Sequence, residues 1–329
     1  MSLVGIIANP ASGKDIRRLV AYGSVFDNEE KVRMIRRILL GLSAVGVNEV
    51  CYMPDTYGIV NRALSEVEIP IRCYPTPFNI KGDQDDSIRA AGFMAQRKAD
   101  CIITLGGDGT NRVVVKGSVS VPILPVSTGT NNVFPAMIEG TIAGMAAALI
   151  AEKMVPLPEA SYRSTILEVV LDGQPADLSL VDVAVYDDPF IGSRAIWKIE
   201  KVRQIFLNRA EPNSIGLSSI GGLLHPVSAE SPQGLVLELG KGEGTVTAPV
   251  APGLIQTVSI KKKSVLTVGE ETDVTFSPAV IALDGERELE IQKGRQVSIR
   301  LKSQGPIVVD VHRTMGFAAK NNILTSNPR

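Results

Sequence analysis

Short continuous apolar runs alternate with helix-like segments over residues 3–152 of this chain. The runs include Leu3–Ala8, Asp100–Leu105 and Pro122–Val126, and a polar or glycine-containing turn follows each of them. Continuous apolar runs are typical of strands that are covered on both faces, and strands that alternate with helices form parallel sheets. The pattern therefore predicts a doubly wound, Rossmann-like α/β domain whose ligands bind beyond the carboxyl ends of the strands.

The pattern changes near residue 160, after which strand-like runs predominate. Thr165–Leu171, Leu178–Tyr186 and Val280–Leu283 are examples, and Gly, Asp and Pro turns separate such runs. This composition predicts a β-rich, β-sandwich-like domain. We expect an α/β nucleotide-binding domain over residues 1–157, a β-rich substrate domain over 158–312, and a tail over 313–329 that either frays or folds back on the first domain.

Composition excludes several classes of function. The 34 Lys and Arg residues nearly balance the 35 Asp and Glu residues, so the basic excess expected of a nucleic-acid-binding protein is missing. With only two His, one chain cannot build a three-histidine metal site. The three Cys form no CxxC pattern, which argues against structural zinc and dithiol chemistry, and free thiols suit a reducing compartment.

The sequence shows no recognisable targeting or membrane segment. Leu3–Ala8 has no basic region before it, unlike the apolar core of a signal peptide. The longest apolar run, Ile142–Ala151, is too short to span a bilayer. We therefore expect a cytoplasmic protein that does not insert into membranes.

A glycine-rich turn follows the strand that is predicted to end at Leu105. Three glycines let the backbone approach a ligand closely, and the helix start behind them favours an anion such as phosphate. The acid between them could orient a Mg²⁺–phosphate group or accept a proton from an alcohol. A tight turn capped by this acid is the simpler alternative, but a cap needs one glycine rather than three. The residues are Gly106, Gly107, Asp108, Gly109 and Thr110.

A second turn, Asn9–Lys14 (NPASGK), follows the first strand. It resembles a Walker A loop, but Ala8 stands where Gly is required and Asp15 where Ser or Thr is required. The dinucleotide pattern around the first turn also fails, because Arg112 replaces its third Gly. A solvated turn explains Lys14 equally well. The candidate phosphate contacts in this turn are Asn9, Ser12, Gly13 and Lys14.

A third polar turn follows the strand that ends near Val126. Its hydroxyl and amide groups suit ribose or phosphate contacts. Because three such turns follow strands of one predicted parallel sheet, we expect them to converge on a single cavity. The candidate contacts here are Thr128, Gly129, Thr130, Asn131 and Asn132.

Two segments of the second half also contain small or acidic residues in turn-like patterns. Gly216–His225 is rich in small residues and requires a close backbone approach. Asp284–Glu286 lies between two predicted strands, and a plain hairpin turn explains its Asp-Gly pair.

These motifs resemble those of a known family. Gly106–Thr110, placed after a strand, resembles the signature of the NAD kinase and diacylglycerol kinase superfamily. Turns Asn9–Lys14 and Gly129–Asn132 are similar to the lipid-kinase members. The second half is more similar to NAD kinase, in segments Leu180–Val185, Gly221–Pro226 and Asp284–Arg300. Residues 3–312 look most like the AcoX-type branch, the ATP-NAD kinase-like proteins associated with acetoin catabolism.

The resemblance implies an NAD kinase-like fold and ATP-dependent phosphorylation of a hydroxyl, with the adenosine 2′-OH of NAD as the first-choice acceptor and NADP as the product. It gives Asp108 the role of catalytic acid/base or acceptor-hydroxyl contact. Mg²⁺ would arrive on the ATP phosphates, with no protein ligand assigned. Glu286 matches the acid of lipid kinases rather than the Gln of NAD kinases. The candidate contacts from the second half are Asp182, Gly221, Gly222, Asp284 and Glu286.

Two alternatives stay open at this point. The first is a kinase of another hydroxyl acceptor, either a lipid or a small metabolite. The second is a catalytically silent nucleotide-binding regulator, because a fold does not by itself imply an activity. A homodimer or homotetramer is also expected, since this family tends to assemble and the strands of the second half offer edges to pair.

Overall fold

The computed structural model describes residues 1–13, 22–23, 26–188 and 199–325, so the candidate phosphate ligand Lys14 lies outside the described residues. The α/β part contains strands β1 (Leu3–Ala8), β2 (Glu49–Tyr52), β3 (Arg72–Pro75), β4 (Cys101–Gly106), β5 (Ile123–Ser127) and β6 (Ser161–Arg163). Its helices are α1 (Asn28–Val45), α2 (Ile59–Leu64), α3 (Gln84–Gln96), α4 (Asp108–Gly117), α5 (Gly140–Ala151) and α6 (Leu157–Ala160).

The first five strands form a parallel sheet that is covered on both faces. Every residue of β1, β4 and β5 is buried, as their continuous apolar runs predict. Val4 and Ile6 pack into one core with α1 and α5, whereas Leu3 and Ile7 pack into another with α3 and α4. The predicted doubly wound α/β arrangement is therefore confirmed.

Local signals set the ends of α1, the longest helix described. The Asp27 carboxylate accepts a hydrogen bond from the Glu30 amide at 2.8 Å and so caps the first turn. The helix stops at Gly46, whose φ of 107° lies in the left-handed region that glycine adopts easily. Within the described ranges, no helix combines the length and the apolar character needed to cross a membrane.

The β-rich part consists of two packed antiparallel sheets. Its strands are β7 (Ile166–Leu171), β8 (Gln174–Ser179), β9 (Asp182–Tyr186), β10 (Val202–Leu207), β11 (Gln233–Ala251), β12 (Leu254–Thr267), β13 (Glu271–Asp273), β14 (Ala279–Leu283), β15 (Glu286–Ile291) and β16 (Val297–Lys302), with helix α7 (Leu217–Gly222) on the outer face. The strand orders are β12-β11-β10-β9-β14-β15 and β13-β16-β7-β8. Leu167 and Ile299 of the smaller sheet share a core with Phe206 and Ile281 of the larger one. The predicted β-sandwich is confirmed.

The chain then returns to the first sheet. Strand β17 (Ile307–Val309) pairs in parallel with β5 and antiparallel with β6, which gives the order β3-β2-β1-β4-β5-β17-β6. Helix α8 (Val311–Lys320) follows, and its Ala318 is buried in the core that α1 and α5 also form. The domain limits at residues 157 and 312 stay predictions, but β6 and β17, which lie between these limits, belong to the sheet of the α/β part.

Candidate functional site

A cavity of about 1200 Å³ lies at the carboxyl ends of β1, β2, β4 and β5. Residues 53–57 after β2, together with Ile80 and residues 82–87 at the start of α3, form one part of its wall. The other part includes most of the residues predicted from the sequence, namely Asn9, Ser12, Gly13, Gly107, Asp108, Gly109, Thr110, Thr128, Gly129, Thr130, Asn131, Asn132, Asp284 and Glu286. The turns thus meet at one edge of the sheet, as parallel strand order requires.

Side-chain hydrogen bonds join the three polar turns of the α/β part. Asn9 Nδ2 donates to Thr110 Oγ1 at 2.8 Å, which links the first turn to the glycine-rich turn. Thr128 Oγ1 donates to Ser12 Oγ at 2.9 Å, which links the first turn to the third. The residues after β1 therefore connect the two other turns and hold the cavity wall together.

The Lys31 side chain of α1 stabilises the first turn, and this role was not predicted from the sequence. This side chain is fully buried. Its Nζ donates to the carbonyl oxygens of Asn9 at 2.9 Å and Ser12 at 2.7 Å, and to Asn28 Oδ1 at 3.0 Å. Lys31 stands four residues before Ile35 on the buried face of α1, and a lysine at an apolar position of an amphipathic helix is the signal in the sequence that could have indicated this role.

Close neighbours leave no space for a side chain at two glycines of the glycine-rich turn. A Cβ atom on Gly107 would lie 2.6 Å from Asn132 Oδ1, and a Cβ atom on Gly106 would overlap the Thr110 side chain. In the first turn, Gly13 has a φ of +75° and would bring a Cβ atom to 2.8 Å from Thr128 O. These glycines allow the turns to approach one another, and Gly106 itself does not line the cavity.

Asn111 fixes the glycine-rich turn from within α4, and it too was not predicted from the sequence. It is fully buried. Its Oδ1 accepts a hydrogen bond from Thr104 Oγ1 at 2.6 Å, while its Nδ2 donates to the Gly107 carbonyl at 2.9 Å. The amide therefore ties the turn to the strand that precedes it.

Asp108 begins α4 and connects the glycine-rich turn to the third turn. Its carboxylate accepts hydrogen bonds from the backbone amides of Val133 at 3.1 Å and Phe134 at 2.8 Å. The side chain is largely buried, but it reaches the cavity wall. Backbone donors and the helix start both stabilise the ionised form of a carboxyl group.

The Asp-Gly turn of the β-rich part is both a hairpin and a part of the cavity. Asp284 and Gly285 have φ values of 52° and 78°, and Leu283 pairs with Glu286, which is the geometry of a two-residue type I′ hairpin. The hairpin places Glu286 in the wall of the cavity. The plain hairpin expected from the sequence and the predicted contact residue are therefore the same feature.

Arg112 joins α4 to the β-rich part through buried ion pairs. Its side chain is fully buried, with Nη2 2.8 Å from Glu288 Oε1, Nε 3.4 Å from Asp284 Oδ2, and Nη1 3.7 Å from Asp177 Oδ2. Burial acts to lower the pKa of Arg112, but these acids raise it above its ordinary value. Burial raises the pKa of Asp284, and Arg112 and the hydroxyl of Ser179 oppose that rise. The residue that breaks the dinucleotide pattern thus connects the two parts of the chain.

Three predicted contacts lie away from the cavity. The Asp182 carbonyl accepts a hydrogen bond from the Asp284 amide at 2.9 Å, and Asp182 itself does not line the cavity. Gly221 and Gly222 end α7, where both are buried. A Cβ atom on Gly221 would lie 3.1 Å from Ala210 Cβ, and one on Gly222 would meet the backbone of Glu211. Their contact with substrate stays a prediction.

The donor groups of the cavity limit how a metal ion could be held. Among the residues that the structure describes, no three His, Cys, Asp or Glu side chains are grouped closely enough to hold a metal ion. The wall does offer carboxylate and amide oxygens, which are the ligands that Mg²⁺ prefers. These residues fit a cation that is bound mainly by the phosphates of a nucleotide.

Comparison with known proteins agrees with this architecture. Residues 4–154 match the ATP-NAD kinase N-terminal domain, and residues 165–304 match the acetoin catabolism protein X C-terminal domain. The solved structure of yeast NADH kinase complexed with NADH superposes with a TM-score of 0.51 at 16% identity, over 100% of this chain and 89% of that chain. At this identity the similarity shows a shared fold.

A curated relative covers the whole chain. Acetoin catabolism protein X of Cupriavidus necator is 38% identical over 341 residues, which span 99% of this chain and 95% of that protein. The resemblance inferred from the motifs is confirmed. The chain therefore belongs to the acetoin catabolism protein X (AcoX) family and has an NAD kinase-like fold.

Proposed function

We propose that this protein is an ATP-dependent kinase that phosphorylates a hydroxyl group at the cavity edge of its α/β sheet. The observation that carries the proposal is the meeting of three polar turns around Asp108, at the start of α4. Family membership supports NAD as the first acceptor to test, with transfer to the adenosine 2′-OH and NADP as the product. A part in acetoin catabolism is the corresponding cellular expectation.

The glycine-rich turn suits the phosphates of ATP. Backbone amides at a helix start attract phosphate, and the turn after β4 leads directly into α4. The hydroxyls of Thr110, Thr128 and Thr130 lie in the same cavity wall. Phosphoryl transfer depends mainly on positioning and charge neutralisation. Bound Mg²⁺ would supply that neutralisation on the phosphate oxygens.

Asp108 is the proposed contact of the acceptor hydroxyl. The acceptor oxygen forms a bond to the γ-phosphorus, the bond from that phosphorus to the β–γ bridging oxygen breaks, and ADP leaves. The hydroxyl proton passes to the Asp108 carboxylate. Hydrogen bonds from Val133 and Phe134 hold this carboxylate in one orientation.

The charges around the cavity favour a second acceptor class. Among the described residues its wall contains no Lys, Arg or His, while the carboxylate side chains are Asp55, Asp83, Asp85, Asp86, Asp108, Asp284 and Glu286. An acidic wall repels a second anionic ligand more than it repels a neutral alcohol. A small neutral metabolite with hydroxyl groups is therefore the second candidate. A lipid acceptor stays an alternative, because apolar side chains such as Met53, Ile80 and Val113 also line the wall.

A coupled assay for ADP release tests these proposals. The purified chain is incubated with Mg-ATP and, in turn, with NAD, NADH, acetoin and neutral polyols, and phosphorylated products are identified by mass spectrometry. Acceptor-dependent ADP release with a phosphorylated product supports the kinase and identifies its acceptor. Nucleotide binding without turnover on any acceptor would contradict it and favour the silent regulator.

A further inference from the structure

Arg209 follows β10 and lies at the junction between the β-rich part and Asp108. Its side chain is 15% exposed. Its Nε lies 3.0 Å from Glu211 Oε1 and its Nη2 lies 3.4 Å from Glu211 Oε2, so the guanidinium is held by both carboxylate oxygens. Such two-point pairing fixes the plane of an arginine as well as its position.

The Phe134 backbone, just after the third turn, connects the guanidinium of Arg209 to Asp108. Arg209 Nη1 donates to the Phe134 carbonyl at 3.5 Å, and the amide of the same Phe134 donates to Asp108 at 2.8 Å. Burial acts to lower the pKa of Arg209, but attraction by Tyr162, Glu211 and Asp108 raises it above its ordinary value. Arg209 therefore stays charged close to the acid.

The two glycines of α7 allow this arrangement. Because Gly222 has no Cβ atom, α7 packs directly on the backbone of Glu211. Ser218 of the same helix donates to the Arg209 carbonyl at 2.9 Å. Helix α7, part of the small-residue run Gly216–His225, thus holds the segment that carries Arg209 and Glu211 in place.

We propose that Arg209 is a positioning residue for Asp108: from the β-rich part, it holds the Val133–Phe134 backbone against the acid and adds a positive charge beside it. The close packing of α7 at its glycines fixes the position of Arg209. No wall residue in the described ranges carries a positive charge, so Arg209 supplies a cation just behind the cavity wall. The consequence for phosphoryl transfer rests on the proposed function, whereas the effect on the Asp108 carboxylate does not.

Other charged groups face this cluster. Tyr162 of β6 interacts electrostatically with Arg209, with Glu211 and with Asp310, which precedes α8. Arg313 of α8 interacts electrostatically with Tyr162. On the opposite side, Glu286 approaches Gly109, the neighbour of Asp108. A cation near a carboxylate lowers its pKa, so loss of Arg209 raises the pH at which Asp108 titrates.

The test compares Arg209→Gln and Arg209→Lys with Arg203→Gln, which removes a half-exposed arginine of β10 that pairs with Asp187. Carboxyl carbon NMR follows the titration of Asp108, whose signal is identified by its absence in Asp108→Asn. We expect the midpoint to rise by about half a pH unit or more in Arg209→Gln. It should rise less in Arg209→Lys and stay in place in Arg203→Gln.

Kinase assays give the second readout on the same variants. We expect kcat to fall about tenfold or more in Arg209→Gln with little change in the KM for ATP, and the acid limb of the pH profile to move to higher pH. Gly222→Ala, which displaces Glu211, should move the titration in the same direction. An unchanged Asp108 midpoint in folded Arg209→Gln would overturn the inference. A wild-type chain without kinase activity would overturn the proposed function alone, because the titration still decides the role of Arg209.

Discussion

The carboxyl group of Glu286 lies 3.5 Å from the position that a Cβ atom would occupy on Gly109. This is ordinary van der Waals contact, so the acidic hairpin of the β-rich part closes directly over the start of α4. The glycine-rich turn is therefore enclosed by both parts of the chain. The two glycines beside Asp108 face different neighbours, because Gly109 faces Glu286 whereas Gly107 faces Asn132.

Exchange of these two glycines for alanine should give unequal effects. A Cβ atom on Gly107 would lie 2.6 Å from Asn132 Oδ1 and would displace that side chain, whose Nδ2 donates to Ser127 Oγ at 2.7 Å, whereas a Cβ atom on Gly109 fits beside Glu286. Since overpacking costs about 1–3 kcal/mol, we expect Gly107→Ala to lower the free energy of unfolding by about 1 kcal/mol or more. Gly109→Ala is the matched control and should lower the free energy of unfolding much less. Urea denaturation measures both, and equal losses would contradict the assigned contacts.

Replacement of Lys31 should loosen the first turn. In Lys31→Met the carbonyl oxygens of Asn9 and Ser12 lose a charged donor. Because a hydrogen bond to a charged group contributes about 1.5–3 kcal/mol, we expect the free energy of unfolding to fall by about 2 kcal/mol or more, with weaker nucleotide binding. Urea denaturation checks this. The control is Arg33→Met on an exposed position of the same helix, and similar losses in both variants would refute the role of Lys31.

Removal of Arg112 should destabilise the junction of the two parts. In Arg112→Met the buried carboxyl of Asp284 and its acidic neighbours lose their cation. Removal of one partner from a buried ion pair costs about 3–5 kcal/mol, which urea denaturation at neutral pH would detect. Arg89→Met, which breaks a more exposed pair with Asp86, is the control and should cost far less.

The cost of Arg112→Met should also depend on pH. Burial already raises the pKa of Asp284, and loss of Arg112 raises it further. The folded variant then binds a proton at a pH where the unfolded chain has released it, so the free energy of unfolding falls as the pH rises. We expect the difference from the wild type to shrink when the pH is lowered from 7 toward 4, in denaturation series at each pH. A difference that grows on acidification would contradict the assignment.

Local patterns in the sequence were sufficient to predict much of the fold and the three turns. Continuous apolar runs indicated β1, β4 and β5, and their position in a parallel sheet implied that Asn9, Asp108 and Asn132 would meet. These inferences depend only on residues close together in the chain. Strand order then brings the turns together.

The supporting residues could not be predicted because their partners are far away in the sequence. Arg112 was notable only as the residue that breaks a glycine pattern, since Asp284 and Glu288 lie more than 170 residues further on. Lys31 shares the buried face of α1 with Ile35 and Leu42, but the carbonyl groups that it binds belong to the turn after β1, about 20 residues earlier. For Gly222 the sequence predicted a close backbone approach, but the neighbour it approaches is Glu211 rather than the cavity.

The most direct test of the account is the kinase activity of Asp108→Asn, measured as ADP release with the acceptor that the wild type uses. Because a positioned general base contributes about 10²–10⁴-fold, we expect kcat to fall at least about a hundredfold. The dissociation constant for Mg-ATP, measured by calorimetry, should stay close to that of the wild type, since the backbone amides of the turns remain. A variant that turns over as fast as the wild type would contradict the central role given to Asp108.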